Sequence, residues 1–412
     1  MRTVAILLLA AALAMVSSAS SAERTLEERV AAIEQKIEGG SNIRAYWKEG
    51  LRLDSQDGAF KLQIGGRVYL DWVWMDSDDF DGFDDGVEFR AARFFTSGTI
   101  YDTFGFKLEV DFAGDKVTLK DAYVAFKDVP VLNAVKVGHF KEPFGLEELT
   151  SSRFITFMER SVSNLFAPGR NTGVMAGSPV LDNRMTWAAG IFRETSNGKK
   201  FQSDDGYAVT GRLTGTPWYQ DKGEKLVHLG AAASFRTNHA ETVEFAEAPE
   251  MHLAPDVLDT GDIHSDEQAR FGLEGAVVVG PLAFQGEYMH ATVDRDAGGS
   301  LDFGGFYAQA GYFLTGEHRV YDPKSGSFKR VHPKRDFRKS GGVGAWEVAA
   351  RYSHLDLSDD DIDAGELDDV TLGINWYLNP NARMMFNYIA ADVSNSSEGD
   401  ADMAGVRFQV DF

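Results

Sequence analysis

The sequence predicts an all-β fold: a sixteen-stranded antiparallel transmembrane β-barrel with a short N-terminal periplasmic coiled-coil helix. Three observations predict it. Apolar and polar residues alternate with a period of two along most of the chain, the strand-like runs come to sixteen, an even number, and no segment after the first residues is long and apolar enough for a spanning helix. The composition agrees, because 42 glycines and 29 phenylalanines describe short strands and turns, with aromatic residues where many soluble folds use leucine.

The chain opens with Arg2, an apolar run from Val4 to Val16, and Ser20 and Ala22 at the −3 and −1 positions of a cleavage site. Residues 1–22 therefore read as a secretory signal peptide, with the mature chain beginning near Glu23. The alternative, a membrane anchor, needs about 18 to 20 apolar residues, more than this run has. The chain has no cysteine, so an exported protein of this sequence holds together by burial and backbone pairing. In residues 23–40, Leu26, Val30, Ile33 and Ile37 follow heptad spacing and Gly39 and Gly40 end the pattern. Two heptads are too short to stand alone, so they predict an oligomer as a coiled coil, or else an ordinary amphipathic helix. Residues 41–58 read as a linker and 59–412 as the barrel.

In "FKLQIGGRVYLDWVW" the positions Phe60, Leu62, Ile64, Val68, Leu70, Trp72 and Trp74 form an apolar row, against Lys61, Gln63, Arg67 and Asp71. The split recurs in "FKLEVDF", "VHLGAAASF", "DVTLGINWYL" and "AGVRFQVDF". Many polar-face positions are small, which suits a crowded, water-filled lumen better than an open solvent face. Trp72 and Trp74, and later Trp376 and Tyr377, suit an interfacial aromatic belt. The predicted strands are 59–75, 86–102, 104–113, 117–128, 133–144, 171–180, 184–194, 206–216, 224–237, 268–279, 281–293, 302–315, 343–357, 366–378, 382–394 and 402–412. Connections alternate between long or acidic stretches and tight ones such as "YDTF" and "LDNR", the pattern of outer loops and periplasmic turns. "DSDDFDGFDD" (76–85) and "DDDIDAGELDD" (359–369) read as solvated loops.

Alternation places Arg67, Arg212, Arg236, Arg270, Arg351 and Arg407 in the lumen, with Asp71, Glu109, Asp111, Glu274, Glu287 and Glu347. Arg90 and Arg93 are three residues apart, so both face inward only if a bulge intervenes. At Glu142 the alternation stops. Residues 142–170 carry the breakers Pro143, Gly145, Pro168 and Gly169 but also Phe144, Leu146, Leu149, Phe154, Ile155, Phe157, Met158, Leu165 and Phe166. A loop that apolar needs a wall to pack on, and the wall available is the inside of the barrel.

"VGHFKEPFGLEELTSSRFITFMER" (137–160), "FRAARFFTSGTIYDTFGFKLEVDFA" before it, "YFLTGEHRVYDPKSG" and the ending "GVRFQVDF" resemble the phosphate-selective porin O and P family of bacterial outer membranes. The resemblance covers essentially the whole mature chain. It implies a homotrimer of sixteen-stranded barrels in the outer membrane, reached through the Sec signal peptide, with an inward third loop as the constriction and the coiled coil on the trimer axis. In members that select phosphate, Lys and Ser donors on that loop are fed by nearby arginines, because a dehydrating anion needs fixed N–H and O–H donors. Ser151, Ser152 and Arg153 stand at matching positions, Arg90 matches one of a paired arginine site whose second member is Ala91, and Asp121 matches an acidic residue facing the constriction. Glu148 stands where those members carry a lysine, and the outer segment Asn238 to Gln268 has no Lys or Arg, only acids. Such a mouth lowers the local anion concentration. After the twelfth strand, Lys324, Lys329, Arg330, Lys334 and Arg335 form a basic periplasmic cluster, which the resemblance implies receives anions; otherwise it is a solvated turn.

The net charge of −22 excludes nucleic acid as a partner of the surface as a whole. The barrel's partners are instead outer-membrane lipid and lipopolysaccharide. His239, His252 and His264 fit no common metal-ligand spacing and no EF-hand pattern is completed, so neither metal nor cofactor is expected. No nucleophile-elbow, zinc-protease or P-loop motif is present, which points away from an enzyme. The expected activity is passive diffusion of small hydrophilic solutes, with anions of the phosphate and polyphosphate class implied by the resemblance. A general or mildly cation-preferring pore is the alternative that Glu148 and the acidic loops favour, and an envelope-tethering barrel without conductance is the third.

Overall fold

The computed structural model describes residues 43–195, 206–237, 242–394 and 398–412. The expected signal peptide and coiled-coil segment lie outside the described residues, as do His239 and Glu241. The chain divides into two units, 1–44 and 45–412, and the second contains the barrel.

Among the described residues sixteen long strands form the barrel. They are β1 (Phe60–Asp76), β2 (Gly86–Ile100), β3 (Phe104–Asp111), β4 (Thr118–Val129), β5 (Asn133–Lys141), β6 (Arg170–Val180), β7 (Met185–Arg193), β8 (Tyr207–Gln220), β9 (Lys225–Thr237), β10 (Glu267–Val279), β11 (Leu282–Asp294), β12 (Ser300–Phe313), β13 (Ala345–Asp359), β14 (Ile362–Asn379), β15 (Ala382–Ser394) and β16 (Gly399–Asp411). Each is antiparallel to the next, and β16 pairs with β1 from Asp402↔Asp76 to Asp411↔Arg67. The sheet is therefore closed and has no edge, the condition for a β structure in lipid. The stretch read as a linker contains a strand, Leu51–Ser55, paired with β1 through Leu51↔Ile64 and Leu53↔Leu62.

The predicted facing is observed. Val68, Trp72 and Trp74 are 40 to 53% exposed on the outside, whereas Arg67 and Asp71 are buried inside. Trp346 stacks on Trp376 at 5.0 Å near one end of the wall, and Trp72 on Trp74 at 6.2 Å near the other. Tyr377 departs from the belt reading: it points inward and donates to Glu347 Oε2 at 2.8 Å. The tight turns place Asp102, Asp182 and Asn183 at φ 54, 55 and 63, a left-handed region that Asp and Asn tolerate.

Two bulges re-aim the wall. Tyr69 pairs with Ala91 and Leu70 with Phe89, which leaves Arg90 as the extra residue and turns both Arg90 and Arg93 toward the lumen. In the same way Glu109 pairs with Asp121 and Val110 with Leu119, leaving Lys120 over. The stretch 359–369 is not a loop, since only Asp360 and Asp361 separate β13 from β14. Its acidic residues mask an alternation in which Leu367, Asp369 and Thr371 are buried.

The apolar core lies inside the barrel. Phe144, Met158 and Phe166 from the segment 142–169 pack with Phe245, Met251 and Leu258 from the outer segment 242–266, against Met289, Phe303, Leu355 and Met385 of the wall. Phe245 bridges the two segments, with its ring 5.4 Å from Phe166 and 5.6 Å from Phe303. Burial of each such side chain contributes about 1.5–3 kcal/mol, which keeps both segments out of water. The acidic outer segment thus lies largely inside rather than standing at the mouth. The basic segment 314–344 also turns inward from the opposite end, where Tyr321 Oη lies 2.6 Å from His228 Nδ1 and the Phe328 N–H donates to Thr150 Oγ1 at 3.3 Å. Tyr321, Phe328 and Arg330 of this segment are therefore buried inside, whereas Lys324, Lys334 and Arg335 are exposed, as in a solvated turn.

Candidate pore and its lining

Inward side chains of the far wall fix the third loop through its backbone. Glu287 accepts from the N–H groups of Leu146 and Glu147 at 2.7 and 2.6 Å, at the start of the short helix α1 (Leu146–Leu149). Asn387 accepts from the Met158 N–H, Asn375 donates to the Thr156 carbonyl and Arg383 to the Ile155 carbonyl, each at 2.8 Å. These groups lie on β11, β14 and β15, so the loop is drawn to that side. On the other side, against the inner faces of β1 to β8, a cavity of about 570 Å³ remains.

Thirteen basic side chains line this cavity against three acidic ones, Glu109, Asp121 and Glu159. The carboxylates outside the lining that these cations pair with, Asp71, Asp111, Glu148, Glu274, Asp322 and Asp411, reduce the excess but leave it positive, opposite in sign to the net charge of −22 of the whole chain. Local excess of one sign in a low-dielectric channel focuses its field and concentrates the opposite ion.

Each candidate residue can be placed. Ser152 Oγ accepts from Arg67 Nη1 at 2.9 Å, and Arg67 also pairs with Glu109 at 2.6 Å. Arg153, beside Ser151 at 3.4 Å, holds its guanidinium 5.0 Å from the Phe154 ring centre and 5.9 Å from that of Phe95. Arg90 is bidentate to Glu159 at 2.8 and 2.9 Å, and Glu159 also takes Arg407, which pairs with Asp71. Asp121 accepts from Arg170 at 2.8 Å and from Lys107. Glu148 is buried between Lys141 at 2.8 Å and Arg160 at 3.1 Å, so it offers the pore no free negative charge. Burial alone would raise its carboxyl, but the Arg160 guanidinium and the Lys141 ammonium hold it down at about 2.

Arg212 reaches the cavity edge while pairing with Glu274 at 2.6 Å and donating to the Gly326 carbonyl at 2.8 Å. Arg351 lies away from the cavity, pairs with Glu250 and Glu147, and anchors the outer segment. The five basic residues after β12 separate: Lys324 and Lys329 line the cavity, Arg330 is buried against Asp411 at 2.8 Å, and Lys334 and Arg335 are exposed. Of the histidines weighed as ligands, His252 contacts Glu88 at 2.8 Å and His264 pairs across from Thr242 on a separate hairpin. Sequence reasoning did not nominate Lys107, Lys136, Lys141, Arg160 or Arg170, all of which line the cavity. Alternation on β3 and β5 was the signal for Lys107 and Lys136.

Arg330 holds the inward basic segment to β16. Arg330→Gln leaves Asp411 buried beside Arg153 alone, at 3.5 Å, a loss on the order of 3 kcal/mol. Higher and noisier single-channel conductance is expected, and a trace identical to wild type would contradict the anchoring role.

A family model described as phosphate-selective porin O and P matches residues 62–412. Porin O of Pseudomonas aeruginosa is 27% identical over 416 residues, covering 89% of this chain and 91% of its own. An uncharacterised protein of Caulobacter vibrioides is 29% identical over 393 residues, covering 89% and 76%. Among solved structures, the anion-selective porin from Comamonas acidovorans aligns with a TM-score of 0.55 at 13% identity, over 86% of this chain and all of that one.

Proposed function

The chain belongs to the phosphate-selective porin O and P family of outer-membrane porins, and from that premise we propose that it is an anion-preferring diffusion pore for small solutes, the phosphate class included. The observation that carries the reading is the cavity lining, thirteen basic residues against three acidic. Glu148, the residue that favoured a cation-preferring pore, is neutralised by Lys141 and Arg160, and Glu250 of the acidic segment by Arg351. Family and fold are those of channels rather than catalysts.

The constriction in this reading is formed by Ser151, Ser152 and Arg153 of the third loop facing Arg67, Arg93 and Lys107 of the wall. Their hydroxyl and cationic N–H donors offset the hydration that an anion loses in the narrow part. Glu109 and Asp121 position these cations, Glu109 pairing with Arg67, Arg93 and Lys107 and Asp121 with Lys107. A homotrimer completes the proposal, supported by the heptad spacing of Leu26, Val30, Ile33 and Ile37.

Reversal potential across a KCl gradient in a planar bilayer tests it, with inorganic phosphate then titrated in. The expected result is anion preference, with chloride current reduced by phosphate. Cation preference would overturn the reading, and absence of any current would favour an envelope-tethering barrel.

A further inference from the structure

The wall of the cavity formed by β4 to β7 carries an apolar surface that an inorganic anion does not use. Phe140, Phe192 and Ala208 form a buried cluster on the lumen side, and Tyr123 and Met175 pack on it where they border the cavity. The Tyr123 and Phe140 rings meet edge to face at 5.8 Å. One cation is set into this surface. The Lys136 ammonium lies 4.6 Å from the Tyr123 ring centre and 4.8 Å from that of Phe140, with no carboxylate within ion-pair distance among the described residues.

A bare phosphate moving past this wall loses hydration and gains no donor from the Phe140 ring or the Met175 thioether. A solute that presents an anionic group and a flat apolar body satisfies both halves of the surface. Its carboxylate reaches the Lys136 ammonium, which the ring faces hold in place without neutralising it. Its ring packs on Tyr123 and Met175, and a cavity of about 570 Å³ falls within the range of organic ligand sites, about 300–1,000 Å³. Arg153, framed by Phe95 and Phe154, repeats the pairing of cation and ring at the constriction.

We propose that the pore binds small aromatic carboxylates at this wall, with the carboxylate on Lys136 and the ring on Tyr123 and Met175. The proposal rests on the anion-preferring reading and specifies its solute class.

The test uses the full-length protein in a planar bilayer, with chloride current titrated at neutral pH and constant ionic strength by benzoate, acetate or inorganic phosphate. Benzoate is expected to half-block at a concentration about tenfold below acetate, the contribution of one well-formed ring contact, and below phosphate as well. Tyr123→Ser is expected to bring the half-blocking concentrations of benzoate and acetate together, and Lys136→Gln to weaken benzoate block with the reversal potential still anion-preferring. Equal half-blocking concentrations for benzoate and acetate in the wild-type pore overturn the proposal without any variant. A cation-preferring reversal potential instead overturns the reading beneath it, so the two failures are read on different axes.

Discussion

Replacing Arg351 with methionine is expected to release the outer segment 242–266 from the lumen and to raise single-channel conductance. Arg351 is fully buried on β13, bonded to Glu250, to Glu147 at 3.3 Å and to the Glu159 carbonyl at 3.2 Å, with its guanidinium 4.5 Å from the Phe157 ring centre. Ser353 and Thr371 donate their hydroxyls to the same Glu250 carboxylate. Without the guanidinium, two buried carboxylates lose their cation, a loss of about 3–5 kcal/mol. The barrel wall has no way to relieve that cost, but the outer segment can undock into water. Proteolytic cleavage within 242–266, together with the conductance, reads the outcome; unchanged protection and unchanged current would refute the anchor.

The pH dependence of this variant has a definite sign. Burial raises the Glu250 carboxyl above its ordinary range even with Arg351, Ser353 and Thr371 opposing it. The docked segment therefore binds more protons than the undocked one, and docking strengthens as pH falls toward the ordinary carboxyl value of about 4.3. Acidification should partly restore the wild-type current in Arg351→Met. An increase on acidification would contradict the assignment.

Glu148→Gln is expected to shift the reversal potential further toward anions and to loosen the third loop. The carboxylate lies between Lys141 and Arg160, so its loss leaves two buried cations facing each other. Its carboxyl is held at about 2 against a reference of 4.5, a contribution on the order of 3 kcal/mol. A carboxyl lowered by folding stabilises above its free value, and that stability is lost as pH falls from about 4 to about 2. The part of the wild-type selectivity that Glu148 sets should hold from neutral pH down to about 4 and change only below that, whereas Glu148→Gln should show the shifted value at neutral pH. Glu148→Lys, the substitution suggested by the family pattern, adds a third cation to the pair and should disorder the loop more than it restores a phosphate site. A neutral-pH reversal potential unaltered in Glu148→Gln would show that this ion triad does not reach the pore.

The strands were legible because a lipid-facing row and a lumen-facing row leave a period of two that composition does not erase. The bulge at Arg90 was legible as a condition, since two arginines three apart share a face only across an extra residue. The inward third loop declared itself through Phe144, Phe157, Met158 and Phe166. The outer segment was hidden by its own acids: Phe245, Met251 and Leu258 are interleaved with Glu244, Glu247 and Glu250, so charge outweighed the apolar pattern. Nor did the chain announce that Arg351, about a hundred residues on, neutralises Glu250. The inward course of 314–344 was equally remote, because its partners His228, Thr150 and Asp411 come from three distant parts of the sequence. Pairings between strands far apart in sequence set where charge is free, and alternation within one strand carries no information about them.

The seam between β16 and β1 constrains when the molecule can form. At that seam the Gly66 N–H donates to the Phe412 carbonyl at 2.7 Å and the Phe412 N–H returns to the Gly66 carbonyl at 3.0 Å. A methyl group on Gly66 would collide with the Phe412 ring, so the two residues are matched for close approach. Partners more than three hundred positions apart bear the full entropy of closing that loop, and contacts of such separation form slowly. Until they meet, β1 and β16 both present open hydrogen-bonding edges that hydrocarbon does not tolerate. Ring closure and entry into the bilayer are therefore coupled late events, and a chain halted before β16 would remain an open sheet, exposed to strand-pairing with other unfinished copies.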